Sequence, residues 1–213
     1  SQHRVPLSWL SQHGGEIIAL RCLTELAPAG TVDPAAIDAA RQAVVASKPA
    51  AAVVKKQKDT GVWAGNLLGL AASKATGVKD VGTMPQYRRL LQMGYPLAGR
   101  PFKLADRLLF RLLSRDDDPA LLFEFRKMAA GDTHAESWAR WVIREASCAA
   151  LAEAGHIEDP RLRGSAHKVA SAVSQFLRST LSEKPFVKVA GKTILHPEAY
   201  PPSCYSVAMV ASL

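Results

Sequence analysis

Cysteine is scarce in this sequence, with three residues in a chain of 213. Cys22, Cys148 and Cys204 are far apart and odd in number, and none belongs to a CxxC pair. This pattern argues against a disulfide framework and favours a reducing compartment, so we expect a cytoplasmic protein.

Long apolar runs are absent as well. No stretch reaches 18 consecutive apolar residues, so no transmembrane segment is expected. The N-terminal segment SQHRVPLSWL has no charged stretch followed by an apolar one, and we predict no signal peptide. The sequence stops inside an apolar run at Leu213, and we expect the native polypeptide to continue beyond it.

Aromatic residues make up only 7% of the chain, and β-branched runs are short. Alanine, in contrast, is abundant at 35–52 and 146–154, and alanine loses no side-chain entropy in a helix. A chain of this length can bury a sizeable core without disulfides or metals. We therefore predict an all-α fold.

Proline and aspartate mark where the helices begin. Three pairs place an N-cap aspartate before a proline suited to the first helical turn: Asp33-Pro34, Asp118-Pro119 and Asp159-Pro160. The helix openings at Pro34, Pro101 and Pro160 recur at intervals of about 60 residues, which predicts stacked helical hairpins sharing a core. The alternative is an irregular helical domain with ordinary helix punctuation.

The pattern divides the chain into residues 1–182, a helical repeat domain, and residues 183–213, an irregular C-terminal segment. Alternation and a glycine near 185–195 predict a β-hairpin or an extended loop. The apolar run from Ser203 to Leu213 predicts the start of another helix.

One turn suggests a family resemblance. The segment Asp59–Asn66, DTGVWAGN, resembles the glycine–tryptophan–asparagine turn of prenyltransferase and squalene-cyclase repeats. The resemblance implies an α/α toroid, with helix pairs forming inner and outer rings around a cavity; the other repeat architecture is an open solenoid. The segment Arg115–Pro119 does not fit the D-x-D-D motif of the cyclases, and no cysteine adjoins Asp132 and His134, so the resemblance implies no catalytic residues and no zinc.

Aromatic and polar side chains supply candidates for a cavity that binds an apolar ligand. Trp63 lies beside two glycines in the predicted turn, which favours a pocket position, whereas the alternative for every aromatic residue here is core packing. The candidate ligand-binding residues are Trp63, Asn66, Trp138, Trp141 and Tyr205.

Basic residues outnumber acidic ones, giving a formal net charge of +8. The strongest amphipathic segment runs from Phe102 to Leu113, with an apolar stripe of Leu104, Leu108, Leu109 and Leu112. Polar residues, including Asp106, are predicted to lie outside that stripe. The candidate anion-binding residues are Arg100, Lys103, Arg107 and Arg111, and their alternative is an ordinary solvated face.

Motifs for catalysis or metal binding are missing. The chain has no P-loop and no histidine pair at i, i+4, so we predict no metal, no cofactor and no identifiable catalytic residue. The segment Asp116–Asp118 fits a helix cap better than a cation site. A nucleophilic pair of Cys204 with His196 is the weakest alternative.

These features favour a non-enzymatic domain that binds a protein or an anionic partner through a concave face. Two alternatives stay open. One is a toroid-type enzyme or apolar-ligand-binding domain of the prenyltransferase or terpene-cyclase class, and the other is a nucleic-acid-binding helical solenoid. A protein is the first choice of partner, with nucleic acid and an apolar small molecule as alternatives.

Overall fold

The chain is described by a computed structural model that covers residues 6–28, 30–69, 81–115 and 117–213. Within these ranges it forms ten α-helices and one two-stranded hairpin. The first half contains α1 (Leu7–His13), α2 (Gly15–Arg21), a π-helical turn (Cys22–Leu26), α3 (Pro34–Ala46), α4 (Lys48–Val54), α5 (Thr83–Gln92) and α6 (Arg100–Ser114).

The second half begins with a 3₁₀ helix. In order, its elements are the 3₁₀ helix (Pro119–Phe125), α7 (Arg126–Ala129), α8 (Thr133–Glu153), α9 (Pro160–Arg178), a 3₁₀ turn (Thr180–Ser182), β1 (Phe186–Val189), β2 (Lys192–Leu195) and α10 (Cys204–Ser212). The mostly helical class predicted from composition is therefore confirmed.

Aspartate caps begin the helices where the sequence places them. The Asp33 carboxylate accepts a hydrogen bond from the backbone N–H of Ala35, and Pro34 occupies the first turn of α3. Asp159 caps α9 in the same way through the N–H of Arg161. These caps satisfy backbone donors that have no partner inside the helix.

Other helix boundaries differ from the prediction. The helix expected over Ala120–Ala129 is split, because Phe123 has a positive φ of 45° and the chain before it is a 3₁₀ helix. The last α-helical residue of α9 is Arg178 rather than Leu181. Leu67–Gly69 is not helical, and the remainder of the helix expected over Leu67–Ala75 lies outside the described residues.

Helix α8 lies at the centre of the described fold. Every residue from Glu145 to Ala152 is buried, because α5, α6, α9 and α10 pack around this stretch. Most of these residues are small, which lets the neighbouring helices approach closely. The structure does not confirm a toroid or a solenoid.

The C-terminal segment forms the predicted hairpin and a final helix. β1 and β2 are antiparallel, with Phe186 opposite Leu195. Ala190 and Gly191 connect them with φ values of 50° and 79°, the signs that a two-residue type I′ turn requires. The boundary expected between residues 182 and 183 stays a prediction.

Helix α10 is anchored to α8 by polar and aromatic contacts. The hydroxyl of Ser203, the N-cap residue of α10, donates to the buried Glu145 carboxylate at 2.8 Å. The rings of Trp141 and Tyr200 lie 5.1 Å apart just before this point. None of the described helices combines the length and the apolar character needed to cross a membrane.

Candidate functional site

Helix α6 presents a row of basic side chains to solvent. Arg100, Lys103, Arg107 and Arg111 are all exposed, and at 3.6 residues per turn they fall within an arc of about 80°. Lys103, Arg107 and Arg111 follow one another at axial steps of about 6 Å. The structure thus places the four predicted anion-binding residues on one surface, which we call the α6 basic face.

The opposite side of α6 fixes this orientation. Phe102, Ala105, Leu109 and Leu112 are buried in the core, so the helix cannot rotate without exposing them. Leu104, expected in the buried stripe, is only half-buried. The basic face is therefore held towards solvent by the packing of the apolar face.

The basic residues at the two ends of the α6 basic face each form an ion pair. Arg100 contacts the Asp59 carboxylate at 2.6 Å, and the Arg111 guanidinium contacts Asp118 at 2.8 Å. Lys103 and Arg107, in the middle, make no ion pair with any residue of the described ranges. The centre of the face therefore carries its positive charge uncompensated.

Asp106 departs from the prediction that it lies with the exposed charges of α6. Its carboxylate accepts a 2.7 Å hydrogen bond from the Tyr87 hydroxyl, and its other oxygen lies 3.2 Å from Nε2 of His156. The side chain is only 17% exposed. Because the sole acidic residue of α6 is turned towards α5 and the end of α8, it does not neutralise the basic face.

The acidic segment beside Arg111 acts as a cap. Asp118 accepts a hydrogen bond from the backbone N–H of Ala120 at the start of the 3₁₀ helix. That bond, followed by the bond from Arg111, lowers the pKa of the Asp118 carboxyl. Asp116 lies outside the described residues, and within the described ones no group of acidic, histidine or cysteine side chains suits a metal ion.

Two basic residues on other helices have partners within the protein. Arg88 of α5 forms two hydrogen bonds to the Glu153 carboxylate at 2.7 and 2.6 Å. Arg140 of α8 binds Glu136 and also donates to the backbone carbonyl of Asp117. These two side chains therefore secure helix contacts, whereas α6 groups four exposed basic residues on one face. This grouping makes α6 the best candidate for an anion-binding surface.

The predicted aromatic set is divided among several parts of the fold. Trp63 is 1% exposed, and its indole N–H donates to the carbonyl of Val53 at 2.8 Å. Asn66 is also buried, and its side-chain oxygen accepts from the N–H of Gly69. Both side chains therefore stabilise the turn between α4 and α5 from inside.

The other members of that set lie on α8 and α10. Trp138 is 44% exposed and meets the edge of Phe125, whereas Trp141 packs on Tyr200. Tyr205 lines a cavity of about 260 Å³ with Arg88 and other residues of α5. Burial raises the pKa of the Tyr205 hydroxyl.

The cysteines do not assemble a nucleophilic site. Cys148 is fully buried, and burial raises the pKa of its thiol to about 12. Cys204 is exposed. His196 Nδ1 accepts a hydrogen bond from the backbone N–H of Glu198, and no contact between His196 and Cys204 occurs in the described structure.

An apolar groove between α9 and α10 was not predicted. It has a volume of about 530 Å³ and is lined mainly by aliphatic side chains, among them Val173, Leu177, Val207 and Val210. The sequence holds one signal for it: Ala170, Val173 and Leu177 form a second apolar row on α9, beside the buried row that contains Val169. Its second wall requires the docking of α10, which no local pattern indicates.

No known protein family, curated protein or solved structure matches this chain.

Proposed function

We propose that this domain is a binding module whose α6 basic face contacts a polyanion, with the phosphate backbone of nucleic acid as the partner. The observation that carries the proposal is the placement of four exposed basic side chains within an arc of about 80° on one helix. The only acidic residue of that helix is directed elsewhere.

Spacing supports a partner with repeated charges. Neighbouring basic residues along the face follow one another at about 6 Å along the helix axis, which is shorter than the Debye length of about 8 Å at physiological salt. Their potentials therefore add, and a linear polyanion gains from all of them at once. A single small anion would engage only one or two.

The ion pair between Arg100 and Asp59 does not prevent this use. The Arg100 and Asp59 side chains are 69% and 93% exposed, and exposed pairs of this kind contribute only about 0–1 kcal/mol. A phosphate can therefore replace the carboxylate at little cost.

The helix pairs α5–α6 and α8–α9 are, in this proposal, repeated units whose shared surface includes α6.

Salt dependence tests the proposal. Neutralising about four phosphates of duplex DNA gives a slope of about −3.6 in log affinity against log salt, which is roughly a 100-fold loss between 50 and 200 mM. Removing two of the four charges, in a Lys103→Ala and Arg107→Ala double variant, is expected to bring the slope to about −1.8. Fluorescence anisotropy with a labelled 20-base-pair duplex measures both.

A matched control removes two exposed lysines from the hairpin instead. Lys188→Ala with Lys192→Ala lowers the net charge equally, and both positions are exposed on β1 and β2. We expect this variant to keep most of the wild-type slope. Equal effects of the two double variants, or no binding to duplex DNA or single-stranded RNA at 50 mM salt, would refute the proposal. Binding of polyglutamate alone would also refute it and indicate an acidic protein.

A further inference from the structure

The groove between α9 and α10 continues beyond the cavity described above. A second cavity of about 480 Å³ lies along α9 and is lined by Arg163, His167 and Leu213, among others. Ala170 lines both cavities, so they are neighbours along the same face of α9. From Arg163 to Arg178 the groove follows α9 for about 22 Å, or roughly four helical turns.

The groove is apolar at its centre and has a basic residue at each end. Leu177, Val207 and Val210 are 57%, 59% and 62% exposed, although each is a large aliphatic residue. Of the basic residues of α9, Arg163 and Arg178 line the groove, one at each end. Arg161 instead pairs with Asp159 and lies over the Phe110 ring. Helix α9 has no acidic residue, and α10 has no charged residue at all. Glu158, which contacts Arg163 at 3.6 Å, is the one acidic side chain at the far end.

We infer that this groove binds an amphipathic α-helix with acidic side chains, supplied by a different protein. A helix of about four turns matches the length of the groove, and its apolar face would cover the exposed aliphatic residues. Its carboxylates would meet Arg163 and Arg178 at the two ends. Helix-in-groove recognition of this kind uses apolar residues at i, i+3, i+4 and i+7. The site is separate from the α6 basic face.

Shape and charge disfavour the other occupants. A second copy of this chain would bring its own basic α9 against the first, at a net charge of +8 per chain. A flat lipid surface would touch the rims of a concave groove and leave its floor uncovered. A small apolar molecule would fill part of one cavity and leave the remaining length open.

Binding of a designed peptide tests the inference. The probe is a labelled 16-residue peptide with leucine on one helical face and glutamate on the other, compared with a version in which lysine replaces every glutamate. At 150 mM salt we expect saturable binding of the acidic peptide in the micromolar range. The basic peptide is expected to bind at least tenfold more weakly.

Two variants on α9 distinguish binding in the groove from non-specific electrostatic attraction between the peptide and the protein. Leu177→Asp places a charge in the groove, and Gln175→Asp adds the same charge on an exposed position of the same helix that does not line it. We expect at least a tenfold loss of affinity for the first and less than threefold for the second. Val210→Asp, on the opposite wall, is expected to repeat the loss, and far-UV circular dichroism checks that each variant folds.

Several results would overturn the inference. These are equal binding of the basic peptide, equal effects of Leu177→Asp and Gln175→Asp, or a wild-type dimer in sedimentation that Leu177→Asp dissociates. Binding to phosphatidylglycerol vesicles that Leu177→Asp abolishes, without peptide binding, would assign the groove to lipid instead. The Lys103→Ala and Arg107→Ala variant should keep its affinity for the acidic peptide within threefold, which distinguishes a failure here from a failure at the α6 basic face.

Discussion

Replacement of Ser203 by alanine tests how α10 is held against α8. The Ser203 hydroxyl accepts a hydrogen bond from the backbone N–H of Ser206 as the helix cap, and it donates to the Glu145 carboxylate. Glu145 is only 3% exposed. One hydroxyl therefore serves both the helix end and a buried acidic group.

The expected loss has two parts. Removing a serine N-cap costs about 1 kcal/mol, and losing a hydrogen bond to a charged group costs a further 1.5–3 kcal/mol or so. The free energy of unfolding should therefore fall by roughly 2.5–4 kcal/mol, and for a domain of this size Tm should fall by roughly 5–15 °C.

Urea denaturation followed by far-UV circular dichroism and tryptophan fluorescence measures this change. Ser203→Thr keeps the hydroxyl, and its unfolding free energy should stay within about 1 kcal/mol of wild type. A double-mutant cycle with Glu145→Gln isolates the contact between the two side chains. A loss below about 1 kcal/mol for Ser203→Ala, or a cycle without coupling, would show that Glu145 does not depend on this hydroxyl.

Two further predictions concern the turn before α5 and the buried acid of α8. Gly61 has a φ of 89°, and a Cβ there would overlap the carbonyl oxygen of Leu104. At Gly65, with a φ of 72°, a Cβ would meet only Nζ of Lys58 at an ordinary contact distance of 3.7 Å. Chemical denaturation should therefore show a larger loss for Gly61→Ala than the loss of about 1–2 kcal/mol expected for Gly65→Ala, and equal losses would contradict the described contact. Burial raises the pKa of Glu145 despite its hydrogen bonds from Ser203 and Trp141, so the folded state loses stability as pH rises from the ordinary glutamate pKa through the raised one. Glu145→Gln should remove that loss, and unfolding measured from pH 4 to pH 8 would contradict the reasoning if both proteins showed the same pH dependence.

Local signals predicted most of the helix starts correctly. Asp33, Asp118 and Asp159 cap their helices as expected, because a cap depends on a side chain and the backbone two or three residues later. The hairpin at Ala190-Gly191 was predictable as well, because alternation and a turn glycine are also signals from residues close together in the sequence. The arc of basic residues on α6 also follows from helical periodicity alone.

Contacts between residues that are far apart in the sequence could not be predicted from those local signals. The sequence pattern places Asp106 among exposed charges, yet its partners Tyr87 and His156 lie 19 and 50 residues away along the chain. Trp63, beside two glycines, suggested an open pocket, but its indole N–H binds Val53 inside the core. The α9–α10 groove depends on the docking of α10, which no periodicity describes.

Because Cys148 is buried within α8, its reaction with a thiol reagent reports when the core around α8 opens. A thiol alkylates as the thiolate, and Cys148 is both fully buried and poorly ionised, while Cys22 is buried and Cys204 exposed. Cys204 should therefore react rapidly with the reagent, whereas Cys148 should react only after α8 separates from its neighbours. The labelling rate of Cys148 would then measure how often the centre of the fold opens under native conditions.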